Sequence, residues 1–195
     1  MYELIRSGQS RLPAFARAHP DISLNLSAAQ TPSDFERGQA DIDLRYGVPN
    51  WPGLVIEPLF EELVVPLASP AFIRENRLKR PEDLLGARLI QSNVSVVQWP
   101  DWFNAFTNKR APDRFALRFD RAQMSLDAAS QGLGVALESA TIAGRHLAER
   151  KLRPVFGLDK AVKVKAHFAV YPARHAKRPP VEAFLAWLHA QASKD

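Results

Sequence analysis

The feature that most constrains this chain is the alternation of short strand-like runs with short amphipathic segments along its 195 residues. Apolar residues recur at every second position in 22–26 and 162–171, which is the period of a strand. Residues 12–18 and 181–192 repeat instead at the spacing of a helix. Because strands that alternate with helices build sheets covered by helices, the sequence predicts an α/β fold with a mostly parallel sheet.

The predicted elements follow this alternation. We expect strands at 22–26, 41–46, 54–67, 88–90, 115–119, 135–137 and 162–171, and further helices at 31–38, 69–76, 81–84, 100–107, 122–131 and from Ser139 towards 150. Two of these helices follow a hydroxyl side chain and a proline, at Thr31 and Ser69. This pair of residues is typical of an N-cap and a first helical turn.

The composition excludes several classes of protein. Hydrophobic residues make up 46% of the chain and charged residues 24%, so the chain is expected to fold as a globular protein. No stretch is long and apolar enough for a membrane span, and the first residues lack the apolar core of a signal peptide. Cysteine is absent, which excludes disulfides and thiolate metal sites. We therefore expect a cytoplasmic protein without membrane contact.

Positive charge is concentrated in residues 144–180, which hold ten Lys and Arg but only two acidic residues. Such a segment could attract anionic ligands or nucleic acid. In 162–171, however, the basic side chains alternate with apolar ones, which is typical of a strand with one solvated face. We favour the solvated strand face.

Catalytic motifs are weak. The sequence Gly132-Leu133-Gly134 lacks the third glycine of a dinucleotide-binding loop, and no nucleophile elbow or phosphate-binding loop occurs. The five histidines show no metal-ligand spacing. Asp41 and Asp43 are the one candidate for a pair of carboxylates that share a proton, and they could equally serve as ion-pair partners. We expect no catalytic activity, no cofactor and no metal.

Four segments, in this order, resemble the effector-binding domain of LysR-type transcriptional regulators, in particular the branch that includes the glycine-cleavage activator and the β-lactamase regulators. They are LPAFARAHPDISLNL from Leu12, DIDLRYGVPNWPGLVIEPLFEELVVPLASPAF from Asp41, FDRAQMSLDAASQGLGVAL from Phe119 and FAVYPARHAKRPPVEAFLAWL from Phe168. The resemblance extends from Leu12 to the C-terminus. Two segments depart from the family pattern: Arg121-Ala122-Gln123 replaces small hydroxyl residues, and residues 1–11 show little of the family's first strand.

The resemblance implies a type II periplasmic-binding-protein-like fold of two α/β lobes with mixed, mostly parallel sheets. Lobe I would comprise 1–66 and 168–195, and lobe II 67–167, without the winged helix-turn-helix domain that binds DNA. The implied function is to sense a small anionic effector between the lobes and to dimerise, with tetramers in full-length regulators. A solute-binding protein of a transport system is the alternative with the same fold, and an enzyme using Asp41 and Asp43 is a third class.

Ligand contacts are expected where strands end and helices begin, because helix N-termini there offer free N–H groups. The candidates are Thr31, Arg45, Tyr46, Ser92, Asn93, Trp99 and Gln123. Thr31, Ser92 and Gln123 could equally cap helices or turns, and Trp99 could belong to the core. Arg45 could hold a ligand carboxylate or neutralise a neighbouring aspartate.

The resemblance also implies an antiparallel dimer contact between a helix around residues 12–18 of one subunit and a helix around 126–131 of the other. Phe15, Leu126 and Ala129 are the candidate contact residues, because an isologous interface needs apolar side chains on both helices. Ordinary core packing is the alternative for all three.

Overall fold

The computed structural model describes residues 12–27 and 31–192. The chain divides into two compact units, which we call the first unit and the second unit. The first unit combines the residues up to Glu61 with those from Lys165 onward, and the second unit is Glu62–Val164. The lobe boundaries expected from the sequence, after 66 and after 167, lie a few residues further along the chain than the unit boundaries.

The elements confirm a mixed α/β architecture. They are α1 Leu12–Ala18, β1 Asp43–Tyr46, β2 Val55–Ala68, α2 Pro70–Glu75, β3 Leu89–Ser92, α3 Trp99–Phe106, β4 Leu117–Phe119, α4 Ala122–Ser130, β5 Val135–Ser139, α5 Gly144–Ala148, β6 Arg153–Pro154, β7 Val162–Tyr171 and α6 Pro179–Ala192. Short 3-10 helices lie at Pro81–Gly86, Leu158–Lys160 and Ala173–His175. The long strands β2 and β7 contribute residues to both units.

Two elements predicted near the N-terminus are wrong. Residues 22–26 form no strand, and 31–38 form a turn at 35–38 instead of a helix. The reason for the second error is Asp34, whose Oδ1 accepts hydrogen bonds from the backbone N–H groups of Glu36 and Arg37 at 3.0 and 3.1 Å. This local side-chain turn satisfies the donors that a helix would have used.

The helix expected from Ser139 is shorter than predicted. Ser139 is the last residue of β5, and its hydroxyl contacts the N–H group of Ile142 at 3.5 Å within a turn. The helix itself, α5, begins only at Gly144. The hydroxyl therefore supports a connecting turn between strand and helix.

The sheet of the second unit brings three parallel strands together. Strand β3 pairs in parallel with β4 and with β5, and β2 pairs antiparallel with β5 and β6. Ile90 of β3 lies level with Leu117 of β4 and with Ala136 of β5. Because these strands run in one direction, their carboxyl ends meet at the same edge of the sheet.

Apolar side chains cover both faces of this sheet. One core contains the aromatic residues of α3 and the other contains the apolar face of α4; their largest members are Trp99, Trp102 and Phe103 in the first and Ile90, Leu126 and Leu152 in the second. Each large side chain that is fully buried stabilises the fold by about 1.5 to 3 kcal/mol. The two cores fix α3 and α4 against the sheet.

The two glycines after α4 have structural roles. Gly132 has a φ of +76°, a left-handed conformation that suits the end of a helix. A Cβ atom on Gly134 would lie 2.5 Å from the carbonyl oxygen of Arg88, so only glycine permits this approach of backbone to backbone. The Gly-Leu-Gly sequence therefore positions β5 beside β3.

In the first unit, β1 pairs antiparallel with β7, with Asp43 opposite Val170 and Tyr46 opposite His167. Helix α6 packs its apolar residues on this part of β7, and the resulting core includes Ala169, Tyr171 and Leu185. At the N-terminal end of β7, Lys163 and Lys165 are exposed while Val162 and Val164 are half-buried, which agrees with a solvated strand face.

Among the described residues, no helix has the length and apolarity needed to cross a bilayer.

Candidate functional site

The carboxyl edge of β3, β4 and β5 in the second unit is the candidate site. Asn93 follows β3 directly, is exposed, and donates its backbone N–H to the carbonyl of Phe119 at 2.8 Å. Helix α4 begins at the same edge, and Arg121 at its N-cap makes no side-chain capping hydrogen bond. The first N–H groups of α4 are therefore not capped by that side chain, and such groups favour anions.

A set of buried polar side chains lies directly beneath this edge. We call Ser92, Ser125 and Glu138 the polar cluster; their exposed fractions are 4%, 0% and 3%. The hydroxyl oxygens of both serines and Oε1 of Glu138 have no hydrogen-bond partner. Buried polar groups are nearly always paired in folded proteins, so three orphaned oxygens in one place point to a site.

The sheet register explains why the three side chains meet. Ile90 and Ala136 are level in the parallel pair, so Ser92 and Glu138, two residues further on in each strand, are level as well. Ile90 and Ala136 both face the core that contains Leu126 of α4. Because side chains two positions apart share a face, Ser92 and Glu138 also face α4, which carries Ser125.

Burial raises the pKa of Glu138 to about 7. The Ser92 and Ser125 hydroxyls act against this rise, and the negative charge of the nearby Glu62 adds to it. The hydroxyls are thus close enough to influence the carboxyl, although Oε1 has no bond of good hydrogen-bond geometry. Near neutral pH, a carboxyl with this pKa exchanges its proton readily.

Three predicted contact residues of the second unit lie at or near this edge. Ser92 is buried, Asn93 is exposed and Gln123 is half-buried on the first turn of α4. The Gln123 amide donates to Asp127 Oδ1 at 3.0 Å, which is a pair along the helix. The structure therefore brings Ser92 and Asn93 together at the end of β3 and places Gln123 at the start of α4.

Trp99 does not line an open surface, which corrects the sequence prediction. Its ring is 1% exposed, and its indole N–H donates to the carbonyl of Ile90 at 2.9 Å. It packs edge to face against Trp102, with ring centroids 6.0 Å apart. Burial and a satisfied N–H group make Trp99 a core residue.

Two predicted contacts, Arg45 and Tyr46, lie on β1 of the first unit. Arg45 donates from Nε to Asp43 at 3.0 Å and lies 5.2 Å from the ring centroid of Trp51. The structure thus shows a contact with an aspartate, and the role of Arg45 as a ligand contact stays a prediction. The ring of Tyr46 packs 4.9 Å from that of His167.

Thr31 is exposed and precedes the turn at 35–38. The predicted turn 28–31 lies mostly outside the described residues, because 28–30 are not among them. The role of Thr31 as a ligand contact stays a prediction.

Asp41 and Asp43 do not form a shared-proton pair. Asp41 Oδ1 accepts a hydrogen bond from Arg178, whereas Asp43 Oδ2 accepts from Arg45 and from the N–H group of Ser33. Each carboxylate thus has its own partners. Within 12–27 and 31–192, no group of three or more His, Asp or Glu side chains could hold a metal ion.

The side chains predicted for the dimer contact are buried within one chain. Phe15 is 1% exposed and packs against Phe184 and Trp187 of α6. Leu126 and Ala129 are both 0% exposed. Because these three side chains are buried within one chain, they form no contact surface in this conformation. Apolar periodicity identified the faces of α1 and α4 that pack inward.

Ser125 and Glu138 were missed by the sequence analysis. A signal was present, because Glu138 directly follows the apolar run 135–137, which is predicted to be a buried strand. Charged residues are rarely buried unless they are paired, so a glutamate at the end of such a strand marks a functional candidate. Ser125 carried no comparable signal, since small polar residues are common within helices.

Comparison with known proteins places these features in a family context. The family model described as "LysR substrate binding domain" matches residues 9–193. The "HTH-type transcriptional regulator PerR" of Escherichia coli strain K12 is 39% identical over 180 residues, which cover 91% of this chain and 59% of that protein. The glycine cleavage system transcriptional activator of the same strain is 30% identical, over 95% of this chain and 60% of that protein.

Solved structures agree with this likeness. The effector domain of the transcriptional regulator AmpR of Pseudomonas aeruginosa has a TM-score of 0.81 and 30% sequence identity, over 95% of this chain and 89% of that one. The effector-binding domain of AmpR from Citrobacter freundii, at 23% identity and a TM-score of 0.80, shares the fold. The chain spans about three fifths of the length of the curated relatives that it matches.

Proposed function

Because the chain belongs to the LysR substrate-binding domain family, we propose that it is the effector-sensing and dimerisation domain of a cytoplasmic LysR-type transcriptional regulator. The observation that carries this proposal is the likeness of nearly the whole chain to the effector domain of AmpR. In the complete regulator, DNA would be bound by a winged helix-turn-helix domain. The domain proposed here acts by binding and not by catalysis.

The proposed ligand is a small metabolite with an anionic group, bound at the carboxyl edge of the second unit. The N-terminus of α4, the exposed Asn93 and the amide of Gln123 supply hydrogen-bond donors there. Parallel α/β sheets commonly bind ligands at this edge. A ligand that binds one conformation of the regulator more tightly than another shifts the population towards it, which is how binding would alter transcription.

We place the dimer contact on the outward faces of α1 and α4. Ala14 and Ala18 of α1 are exposed, and Met124 is the large exposed apolar residue of α4, at 48%. A two-fold contact needs such a self-complementary apolar surface on both subunits. Sedimentation velocity tests this part: the wild type should sediment as a dimer and Met124→Glu as a monomer. A wild type that is monomeric at every concentration would contradict it.

A thermal-shift screen tests the ligand-binding part. The purified chain is heated with amino acids, aromatic carboxylates, nucleotides and peptidoglycan fragments. A ligand at about 100 times its Kd should add about 2.7 kcal/mol of stability, which raises the Tm by about 5 to 10 °C in a chain of this size. Asn93→Ala should weaken the effect, whereas an exposed control, Asn108→Ala, should not. No shift with any compound class would count against the proposal.

A further inference from the structure

Three orphaned oxygens converge beneath the proposed site, in the polar cluster of Ser92, Ser125 and Glu138. The two hydroxyl oxygens and the carboxylate oxygen can each accept a hydrogen bond. No Lys, Arg or His of the described residues forms an ion pair with Glu138. A buried carboxylate without a counter-charge is costly, and the cost is removed when a cation pairs with it.

We propose that the polar cluster binds an ammonium group of the effector, so that the effector is a zwitterion of the α-amino acid class. This inference rests on the proposed function, because it names the chemistry of the ligand at the same site. An ammonium group has three N–H donors, which matches the three orphaned acceptors in number. A neutral hydroxyl has one donor and would leave at least two of these acceptors without a partner.

The charges near the cluster favour a cation over an anion. Glu62 lies close enough to Glu138 for its negative charge to influence the carboxyl, and it is itself buried. An anionic group placed at the cluster would be repelled by both glutamates, whereas an ammonium group would be attracted by both. The hydroxyls of Ser92 and Ser125 can turn their oxygens towards a donor, because the O–H bond rotates freely.

The cluster itself is buried, but the chain beside two of its members reaches the surface. Asn93 and Met124, the chain neighbours of Ser92 and Ser125, are both exposed. The N-terminus of α4, which favours the anionic group, begins only three residues before Ser125. The positive and negative groups of one small zwitterion can therefore bind to adjacent parts of the same edge.

Proton release gives an independent signature of this mode of binding. The Glu138 carboxyl is partly protonated at neutral pH, because burial raises its pKa to about 7. An ammonium partner favours the ionised form, so binding should expel the remaining proton. Calorimetry at pH 7 in two buffers with different ionisation enthalpies should detect release of up to about half a proton per ligand.

The deciding experiment compares matched ligands and matched variants by thermal shift. The ligands are L- and D-α-amino acids, the α-hydroxy acids with the same side chains, and the N-acetyl amino acids. Glu138→Gln removes the charge but keeps the shape, and Ser125→Ala removes one acceptor. Glu149→Gln is the control, because Glu149 is an exposed carboxylate of the same unit with partners in Arg145 and Lys151.

We expect at least one α-amino acid to stabilise the wild type and Glu149→Gln, and to bind Glu138→Gln at least about tenfold more weakly. Its α-hydroxy and N-acetyl analogues should bind the wild type more weakly than the amino acid does. If a ligand without an amine binds best, or if Glu138→Gln binds the amino acid unchanged, the ammonium site is wrong while the effector-binding function stands. If no compound of any class binds, both proposals are contradicted.

Discussion

Glu57 on β2 of the first unit and Glu138 on β5 of the second unit are both glutamates on β-strands, yet their surroundings differ. Glu57 on β2 accepts hydrogen bonds from the hydroxyl of Tyr171 and from His189 Nε2, the latter at 2.9 Å. Burial opposes ionisation of Glu57, but these two hydrogen bonds and the charge of His189 outweigh it and lower the pKa. The Ser92 and Ser125 hydroxyls beside Glu138 lower its pKa by less than burial raises it, and the pKa is raised to about 7.

This difference separates a structural carboxylate from an available one. The partners of Glu57 come from β7 and α6, so its carboxylate ties three elements of the first unit together. The neighbours of Glu138 are two hydroxyls and another acid, none of which supplies positive charge. The surroundings of a glutamate, and not burial alone, decide whether its charge is already compensated within the chain.

The largest expected effect is on the pH dependence of stability in Glu138→Gln. In the folded chain Glu138 binds its proton more tightly, with a pKa of about 7 against an ordinary 4.5. The stability that the folded chain gains from this tighter proton binding is therefore fully present below about pH 4.5 and is lost as the pH rises through 7. The wild type should lose about 2 to 3 kcal/mol relative to Glu138→Gln between about pH 5 and about pH 8.5, measured by urea unfolding. Parallel curves for both proteins would contradict the raised pKa.

Tyr171→Phe tests the other half of the comparison. Removing a hydroxyl that donates to a carboxylate should lower the free energy of unfolding by about 1 to 2 kcal/mol at neutral pH. Because Glu57 has a lowered pKa, its contribution is present above about pH 4.5 and is lost on acidification, so the variant should differ less from the wild type in acid. A double-mutant cycle with Glu57→Gln should show coupling, and additive effects would mean that the bond is not formed.

Ser125→Ala should have a smaller effect, below about 1 kcal/mol, because the Ser125 hydroxyl influences the Glu138 carboxyl without a hydrogen bond of good geometry. The hydroxyl lowers the pKa of Glu138, so its removal should raise that pKa further. The pH at which stability declines should therefore move upward in urea-unfolding series. Ser130→Ala, at the end of the same helix, is the control and should leave this pH unchanged.

The smallest effect is expected for Glu149→Gln. Hydrogen bonds from Arg145 and Lys151 lower the pKa of Glu149 to about 2, but the carboxylate is on the surface. Solvent and salt screen exposed ion pairs, so this pKa shift should not appear as a change in stability. Urea unfolding should give the wild-type value from pH 5 upward. A clear loss of stability would mean that the number of partners of a carboxylate matters more than its burial. That result would contradict the comparison of Glu57 with Glu138.

Periodicity predicted the long elements well and failed in two short segments near the N-terminus, 22–26 and 31–38. The strand 162–171 and the helix 122–131 are confirmed almost to the residue, since both carry long apolar patterns. The segment 31–38 carried helix-start residues, but Asp34 directed its backbone into a turn. The segment 22–26 alternates like a strand, yet no strand pairs with it among the described residues.

The candidate site was only partly predictable for a related reason. The position of Ser92 and Asn93 just after a strand is visible in the pattern, because the apolar run ends at Ile90. The meeting of Ser92, Ser125 and Glu138 depends on the register of β3 with β5 and on the docking of α4. Apolar periodicity also does not separate a helix face that packs inward from one that contacts a partner, as Phe15, Leu126 and Ala129 show.

The most direct test of the account is to titrate the glutamate side-chain carboxyl groups by NMR in the chain labelled with carbon-13 at glutamate Cδ. Spectra of Glu138→Gln and Glu57→Gln assign the two signals. We predict that the Glu138 signal titrates near pH 7 and the Glu57 signal below the ordinary 4.5. If both signals titrate near 4.5, Glu138 is already solvated or compensated, and the polar cluster is not a site that awaits a cation.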